Sequence, residues 1–285
     1  MKDFIKSVYH FLNPAFQNLF LEYKVIFKPR YGHGQPPHGL LYEIINQYRF
    51  DYSERLKRML AYKSSFWQIK DQKNESDSMK PMWNNGYLPG LDIVALYSLL
   101  VEFKPKKYIE IGSGNSTKVA FKAKQEQSLD FEIISIDPQP RAEMDQLANT
   151  IYRLPFEDCA IDLPEMLHEN DVLFVDNSHR ILPNSDATVF FMEILPRLKK
   201  GVVVHIHDIY LPYDYPLFMC ERAYSEQYAL AAFLMANPQK YRPILPNYFI
   251  SEDDDLKSIL NEIWQHQALK GVETHGGSFW IQIME

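Results

Sequence analysis

The sequence has few cysteines, no long apolar run and no excess of positive charge, and each absence excludes a class of protein. Its 285 residues include only Cys159 and Cys220, which form neither a disulfide framework nor a metal-binding spacing. No run of about 18 apolar residues is present, so no transmembrane helix is predicted. The formal net charge of −7, without a basic stripe, argues against a nucleic-acid partner. Because the first residues also lack a signal-peptide pattern, we expect a cytoplasmic protein that binds neither nucleic acid nor membranes.

The chain divides by its hydrophobic pattern into an N-terminal extension and a larger domain. Apolar residues recur at helical spacing around residues 40–49 and 53–69, without the alternation of strands and helices seen further on. We therefore expect residues 1–80 to form a helical cap or dimerisation extension, which makes a homodimer the expected assembly. Residues 81–285 are the expected main domain.

From Tyr108 onwards, short apolar runs alternate with helical patterns, which indicates an α/β fold with helices on both faces of a sheet. The predicted strands are Tyr108–Ile111, Glu132–Ile136, Ile151–Leu154, Val172–Val175 and Val202–Ile206, followed by Arg242–Phe249 and Ser278–Ile283. The predicted helices are Leu91–Phe103, Ser116–Lys124, Arg141–Ala148, Leu163–His168, Asp186–Leu198 and Ala223–Met235.

The first predicted strand ends in a turn that can bind a ligand. Gly112 and Gly114 allow a tight turn, and the helix that follows exposes backbone N–H groups at its start. A dinucleotide fingerprint would place a third glycine where the chain has Thr117. The acidic Glu110 before the turn repels phosphate, which favours a cationic nucleoside without phosphate. A plain tight turn also explains the glycine pair, and an oxidoreductase on a related sheet stays open.

Acidic residues follow the second and third predicted strands, at the edge of the sheet where ligands bind in this kind of fold. Asp137 can accept hydrogen bonds from two ribose hydroxyls, although it could also cap a helix before Pro138. Glu157 and Asp158 are candidates for an adenine amine, or are solvated loop residues.

Two polar clusters follow the fourth and fifth strands and should face each other. The first contains Asp176 and His179, and the second contains His205, His207 and Asp208. His205 and His207 share one face of a strand because strand side chains alternate. Asp176, His207 and Asp208 could bind a divalent cation, or could form a hydrogen-bonded network. His179 is the candidate general base, since histidine titrates near neutral pH.

Aromatic side chains near these clusters form the candidate substrate surface. Trp83 and Tyr87 lie in a loop rich in glycine and proline, and Tyr210 and Tyr213 follow the fifth strand. Packing between the extension and the sheet would explain the first pair equally well. The acceptor stays open among sugar hydroxyls, phenols, carboxylates and amines.

These residues together resemble a class I S-adenosylmethionine-dependent methyltransferase over about residues 81–285. The run from Glu110 to Ser116 matches the family's acid before a Gly-x-Gly turn, with Ser116 in place of a frequent third glycine. The resemblance implies a Rossmann-like sheet of seven strands whose last pair is a reversed hairpin. It also implies that S-adenosylmethionine contacts a set of residues at the strand ends. That set is Glu110, Gly112, Ser113, Gly114, Asn115, Ser116, Asp137, Pro138, Asp158 and Asp176.

Within that class, the two polar clusters are similar to those of metal-assisted sugar O-methyltransferases. This similarity implies transfer to oxygen of a small molecule, with His179 as base, Asp176 as a catalytic residue, and a divalent ion such as Mg²⁺ at Asp176 and Asp208. His207 stands where that branch often has an acid. An oxidoreductase of the NAD type and a protein that binds the cofactor without turnover are the alternatives.

Overall fold

A computed structural model describes residues 8–14, 17–140 and 144–285 of the chain. Its centre is a seven-stranded sheet. The strands are β1 Lys107–Ile111, β2 Glu132–Ile136, β3 Thr150–Tyr152, β4 Val172–Val175, β5 Val203–Ile206, β6 Tyr241–Pro246 and β7 Phe279–Ile283. Their order in the sheet is β3-β2-β1-β4-β5-β7-β6. Neighbouring strands are parallel from β3 to β5, and β7 runs antiparallel to both β5 and β6. The predicted α/β fold and its reversed final pair are confirmed.

Helices cover both faces of this sheet, and short helical turns connect several strands. The N-terminal helices are α1 Gly39–Asn46, α2 Arg49–Met59 and α3 Lys63–Trp67. The helices among the parallel strands are α4 Gly90–Phe103, α5 Asn115–Glu126, α6 Leu163–Met166 and α7 Asp186–Val189. The C-terminal helices are α8 Leu217–Cys220, α9 Glu226–Ala236, α10 Asn247–Glu252, α11 Asp254–Ser258 and α12 Asn261–Trp264. Lys70–Asp71 and Met82–Trp83 form a separate short parallel pair.

The apolar sequence of the central strands explains their position. Every residue of β4 and β5 is buried, as expected for parallel strands that are covered on both faces. The helix α4 is apolar on nearly its whole circumference and lies inside the core, with buried residues from Gly90 to Val101. Among the described residues, no helix combines the length and the apolarity that a membrane crossing requires.

The N-terminal helices share the core of the sheet. Leu41, Tyr52, Leu56 and Phe66 are buried in the same apolar cluster as β1 and β4. The predicted helical character of this region is therefore present over α1 to α3. Residues 17–38, in contrast, contain no helix or strand. The division of the chain at residue 80 stays a prediction.

Three predicted elements differ from the structure. The helix predicted for Arg141–Ala148 has its first three residues outside the described ranges, and the part that is described holds only a 3₁₀ turn at Asp145–Leu147. The helix predicted for Asp186–Leu198 changes to a π-helical turn at Phe190–Ile194 and then to a 3₁₀ turn that contains Pro196, because proline cannot continue the α-helical hydrogen bonds.

The third difference is at the strand predicted for Arg242–Phe249. The strand ends at Pro246, and α10 begins at the next residue. Aromatic and β-branched residues such as Phe249 and Ile250 favour strands on average, but here they pack as one buried face of a helix.

Asp171, at the start of β4, ties the amino ends of two central strands together. Its carboxylate accepts hydrogen bonds from the backbone N–H groups of Lys106 and Lys107 at 2.9 and 2.8 Å. It also accepts one from His168 N–H at 2.9 Å, and the residue is only 2% exposed. These bonds fix how β1 and β4 align, and hence where their opposite ends meet.

We expect Asp171→Ala to lower the free energy of unfolding by about 2–3 kcal/mol, because it leaves buried backbone donors without their charged acceptor. Urea denaturation would measure the loss. The matched control is Asp130→Ala at an exposed loop position, which should change stability by less than about 0.5 kcal/mol. Equal stability of the two variants would contradict this role.

Candidate functional site

Two adjoining cavities open at the carboxyl ends of the parallel strands. The larger has a volume of about 430 Å³ and is lined by Ile111, Gly112, Ser113, Ile136, Asp137, Pro138, Gln139, Pro155, Phe156, Glu157, Asp176, Asn177, Ser178 and Asp186. The smaller has a volume of about 50 Å³ and is lined by Tyr87, Leu88, Ser113, Gly114, Asn115, Ser116, Phe174, Asp176 and His207. Ser113 and Asp176 line both cavities, so a ligand longer than either cavity could occupy both.

The turn after β1 needs glycine at its first position. Gly112 has a φ of +80°, which disfavours any residue with a side chain. A Cβ atom there would lie 1.9 Å from the carbonyl oxygen of Asp176, so the ends of β1 and β4 touch through backbone atoms. The turn therefore brings the carboxylate of Asp176 next to the backbone that lines both cavities.

Asp137 lies at the end of β2, on the wall of the larger cavity. Its carboxylate accepts hydrogen bonds from the backbone N–H groups of Ser113 at 2.8 Å and Gln139 at 2.7 Å. This places the side chain against the turn after β1, and its contact with a ribose stays a prediction. Pro138 and Glu157 also line this cavity, whereas Asp158 does not line either one.

Glu110 lies behind the turn and lines neither cavity. Its buried carboxylate accepts hydrogen bonds from the hydroxyl groups of Tyr108 at 3.1 Å, Ser116 at 3.0 Å and Thr117. Burial raises the pKa of Glu110 to about 7, although these hydroxyl groups favour the charged form. The acid thus holds the first turn of α5 against β1, and a direct contact with a cofactor stays a prediction.

His179 is the centre of the polar cluster beyond β4 and β5. Its Nδ1 lies 2.5 Å from Oε1 of Glu226, the first residue of α9. Its Nε2 lies 3.4 Å from Oδ1 of Asp176 and 3.5 Å from Oδ2 of Asp208. Burial alone would lower the pKa of His179, but the three carboxylates outweigh it and raise the pKa to about 9.

The backbone around His179 is strained and held from α9. His179 and Asp208 have φ values of +62° and +52°, a left-handed conformation that costs energy in residues other than glycine. The carbonyl oxygen of His179 accepts a hydrogen bond from Ser225 N–H at 2.9 Å. The ring of Tyr224 stacks on the imidazole with a centroid distance of 4.6 Å. The start of α9 therefore fixes both the backbone and the ring of His179.

His207 does not join the metal site that the sequence suggested. Its Nε2 lies 2.9 Å from the carbonyl oxygen of Tyr87, so this nitrogen carries a proton and donates it. Its Nδ1 lies 3.4 Å from Ser278 Oγ and 3.8 Å from Asp92 Oδ2. Both ring nitrogens thus face protein groups. In the ranges that the structure covers, no group of three or more histidine, cysteine or acidic residues is arranged to hold a metal ion.

His205 is buried, and its contacts are those of a residue that stabilises the fold. Its ring stacks on Phe174 at a centroid distance of 3.8 Å, and its Nε2 lies 2.6 Å from Ser278 Oγ. Burial holds the pKa of His205 well below its usual range, so this side chain is neutral. The prediction that His205 and His207 share one face of the strand is confirmed, since their rings stack at 5.7 Å.

The predicted substrate residues fall in different places. Tyr87 lines the smaller cavity and is 54% exposed. Trp83 is fully buried and packs edge-on against Trp264, so its assignment to the substrate surface is corrected to core packing. Tyr210 and Tyr213 lie beside each other, each against the ring of Tyr248, and line neither cavity.

Two buried acids were missed at the sequence level. Glu226 lies 47 residues after His179, and no spacing pattern connects the two. Asp92 is the only acid among the twelve buried residues of the apolar helix α4, from Gly90 to Val101, and such an isolated charge in an apolar segment was a usable signal. Its carboxylate accepts hydrogen bonds from Asn247 Nδ2 at 2.7 Å and Gly277 N–H at 2.8 Å. Asp92 thereby fixes the chain before β7 beside His207.

We expect the stability of the cofactor-free protein to depend on Glu110 between about pH 4.5 and 7. The folded-state pKa of about 7 lies above the ordinary value of 4.5, so its contribution is complete below pH 4.5 and is lost as pH rises to about 7. The loss should approach about 3 kcal/mol. Urea denaturation from pH 4.5 to 8 should show a steeper decline in the wild type than in Glu110→Gln, because other groups with raised pKa values, such as His179, titrate in both proteins.

The control for this experiment is Glu193→Gln, which removes an exposed carboxylate and should leave the decline unchanged. A Glu110→Gln variant with the same pH dependence as the wild type would show that the Glu110 carboxyl does not titrate in this range.

Comparisons with known proteins give one family match and distant structural similarities. Residues 109–209 match the model of a family described as a methyltransferase domain. A comparison with curated proteins finds no match. The chain is similar to the SAH-bound methyltransferase PaMTH1 of Podospora anserina, with 15% identity and a TM-score of 0.41 over 80% of this chain and 88% of that one. It is also similar to the plantazolicin methyltransferase BpumL in complex with SAH, with 12% identity and a TM-score of 0.43 over 87% of this chain and 100% of that one.

At these identities and TM-scores, the two structural similarities are too distant to assign an activity. The family match runs from the third residue of β1 to beyond the end of β5 and includes Gly112, Asp137, Asp176 and His179. Residues 109–209, about a third of the chain, are thus similar to a methyltransferase domain, and the cavities at the strand ends lie largely within this matched part.

Proposed function

We propose that the chain transfers the methyl group of S-adenosylmethionine to an oxygen atom of a small molecule, with His179 as the base. The observation that carries this proposal is the orientation of His179. Glu226 holds its Nδ1, so that Nε2 points to the carboxylates at the ends of β4 and β5. Asp176, one of these two carboxylates, also lines both cavities.

The two cavities suit the two halves of the cofactor. We place the adenosine in the larger cavity, where Asp137 can accept hydrogen bonds from the ribose hydroxyls. The methionine portion then occupies the smaller cavity beneath Tyr87 and Leu88, next to the N–H groups at the start of α5. Asp176 lies between the two halves, where a carboxylate favours the positively charged sulfonium.

The chain's own groups account for the chemistry of such a transfer. The acceptor oxygen attacks the methyl carbon in line with the departing sulfur, and the positive charge leaves the sulfur as the new bond forms. Holding the two reactants in line can contribute about 7–11 kcal/mol. The acceptor hydroxyl gives its proton to Nε2 of His179, and Glu226 stabilises the resulting imidazolium through Nδ1. A positioned base of this kind contributes about 10²–10⁴-fold to the rate.

A divalent ion is not needed to explain the arrangement of the acids. His207 is bound to Tyr87 and Ser278, which leaves Asp176 and Asp208 without a third ligand from β5. Both carboxylates instead approach the same nitrogen of His179. We therefore favour the hydrogen-bonded network over the metal site and assign no step to a metal ion.

Cofactor binding is tested first. We expect calorimetric titration with S-adenosylmethionine to show binding to the wild type and at least tenfold weaker binding to Asp137→Ala, since a bidentate contact to the ribose is lost. Asp158→Ala is the matched control, because Asp158 lines neither cavity, and it should bind like the wild type. Absence of binding to the wild type, or equal binding by both variants, would refute the placement of the cofactor.

The role of His179 is tested with a labelled methyl group and a panel of small hydroxyl compounds. We expect His179→Gln to lower kcat by about 10²–10⁴-fold while the affinity for S-adenosylmethionine changes little. His179 can act as a base only when its Nε2 carries no proton. Since the pKa of His179 is about 9 in the ligand-free protein, wild-type turnover should rise with pH from 6 towards 9.

Glu226→Gln provides a second readout for the same proposal. It keeps the shape of the side chain but removes the charge beside Nδ1, so the midpoint of the pH profile should move to lower pH. A His179→Gln variant with wild-type turnover on an accepted substrate would rule out His179 as the base. Transfer only to amines would rule out the oxygen acceptor and leave the cofactor assignment intact.

A further inference from the structure

Residues 8–14 and 17–29, here called the N-terminal arm, expose an unusual amount of apolar surface. Eleven large hydrophobic side chains of the arm are exposed: Val8, Tyr9, Phe11, Leu12, Leu19, Phe20, Leu21, Tyr23, Val25, Ile26 and Phe27. Four of them, Leu12, Phe20, Tyr23 and Ile26, are more than 70% exposed. Single exposed apolar residues are normal in soluble proteins, but so many within two short described segments indicate an interaction surface.

The end of the arm is fixed to the body of the protein. The carboxylate of Asp214 accepts hydrogen bonds from the backbone N–H groups of Arg30 at 2.7 Å and Tyr31 at 3.3 Å. The backbone N–H of His38 donates to the carbonyl oxygen of Pro212 at 2.9 Å. The arm therefore leaves the body at a defined place, beside the loop that follows β5.

A second exposed apolar surface lies next to this attachment. It consists of Leu40 on α1, Leu217 and Phe218 on α8, and Tyr228 on α9, and we call it the apolar patch. The side chains are 49–56% exposed. Tyr228 connects the patch to the attachment, because its hydroxyl donates to Asp214 at 2.7 Å, and α1 packs against α9.

We propose that the arm of one copy of this chain covers the apolar patch of a second copy, giving a dimer with two-fold symmetry. The arm joins the body beside the patch and both are exposed, so a two-fold axis near Asp214 can pair each arm with the other copy's patch. Both contacts are then identical, and each forms only when the second copy is present.

The available area is sufficient for a stable dimer. A typical specific interface buries about 800 Å² on each partner. One aromatic side chain buries about 150–250 Å² when it is fully covered, and the arm contributes aromatic rings at Phe11, Phe20, Tyr23 and Phe27. A membrane surface is the less favoured occupant, because the formal net charge of −7 repels anionic lipid headgroups.

The test is the mass of the full chain in solution, measured by light scattering and sedimentation velocity. We expect a species of twice the 33.5 kDa chain mass at micromolar concentrations. An arm variant, Phe20→Ser/Tyr23→Ser/Ile26→Ser, and a patch variant, Leu217→Ser/Phe218→Ser, should each be monomeric at the same concentrations. All five positions are exposed, so the far-UV circular dichroism and melting temperature of the variants should stay close to those of the wild type.

Two further measurements make the test specific. Phe50→Ser changes a side chain that is 74% exposed on α2 and belongs to neither surface, and it should leave the dimer intact. Mixing the arm variant with the patch variant should restore association, because one intact arm then meets one intact patch. A monomeric wild type, a dimeric arm variant, or flotation of the wild type with anionic vesicles that the arm variant loses would each overturn the proposal.

Discussion

The contact between Gly112 and Asp176 is the constraint on which the rest of the site depends. The backbone of the turn after β1 lies so close to the carbonyl oxygen of Asp176 that no side chain fits between them. One consequence is that the first residue after β4 stands directly beside the turn that lines both cavities. The Asp171 carboxylate reinforces this alignment from the other end of the same two strands. The position of the polar cluster is thus set by the register of the sheet and not by flexible loops.

Burial then determines how the acids near this contact can be accommodated. Asp92 and Glu226 are almost completely buried, and a buried carboxylate is costly unless it has hydrogen-bond or charged partners. Asp92 has Asn247 and the backbone before β7, whereas Glu226 has the ring of His179. His179 and His207 lie close to several carboxylates, and these negative charges raise the pKa values of both histidines although burial alone would lower them. The groups of the cluster therefore titrate together, and removal of one of them changes the pKa values of its neighbours.

Sequence reasoning located the strands well because each central strand is a short apolar run between polar turns. It also located Asp137 and Asp176, since residues that follow parallel strands must lie at one edge of the sheet. It failed where the decisive partner is distant in sequence. Nothing local connects Glu226 to His179, and nothing in the loop around Trp83 shows that Trp264 covers that ring. The helix after Asp186 is an intermediate case. Pro196 in the sequence indicates that a regular α-helix cannot continue through this residue, but no local pattern predicts that the chain forms a π-helical and then a 3₁₀ turn there.

The two sides of the site come from different parts of the chain. The wall that suits the cofactor is formed mostly by β1 to β4 and lies within the residues that match the methyltransferase family. The opposite side depends on segments outside that match. His207 holds the backbone of Tyr87, and Asp214 holds the backbone of Arg30 and Tyr31. Both hydrogen-bonding residues lie after the end of β5, so the N-terminal segments are attached at the same edge of the sheet as His179 and Asp208. The edge that holds the polar cluster is therefore built jointly by the matched part of the chain and by segments outside it.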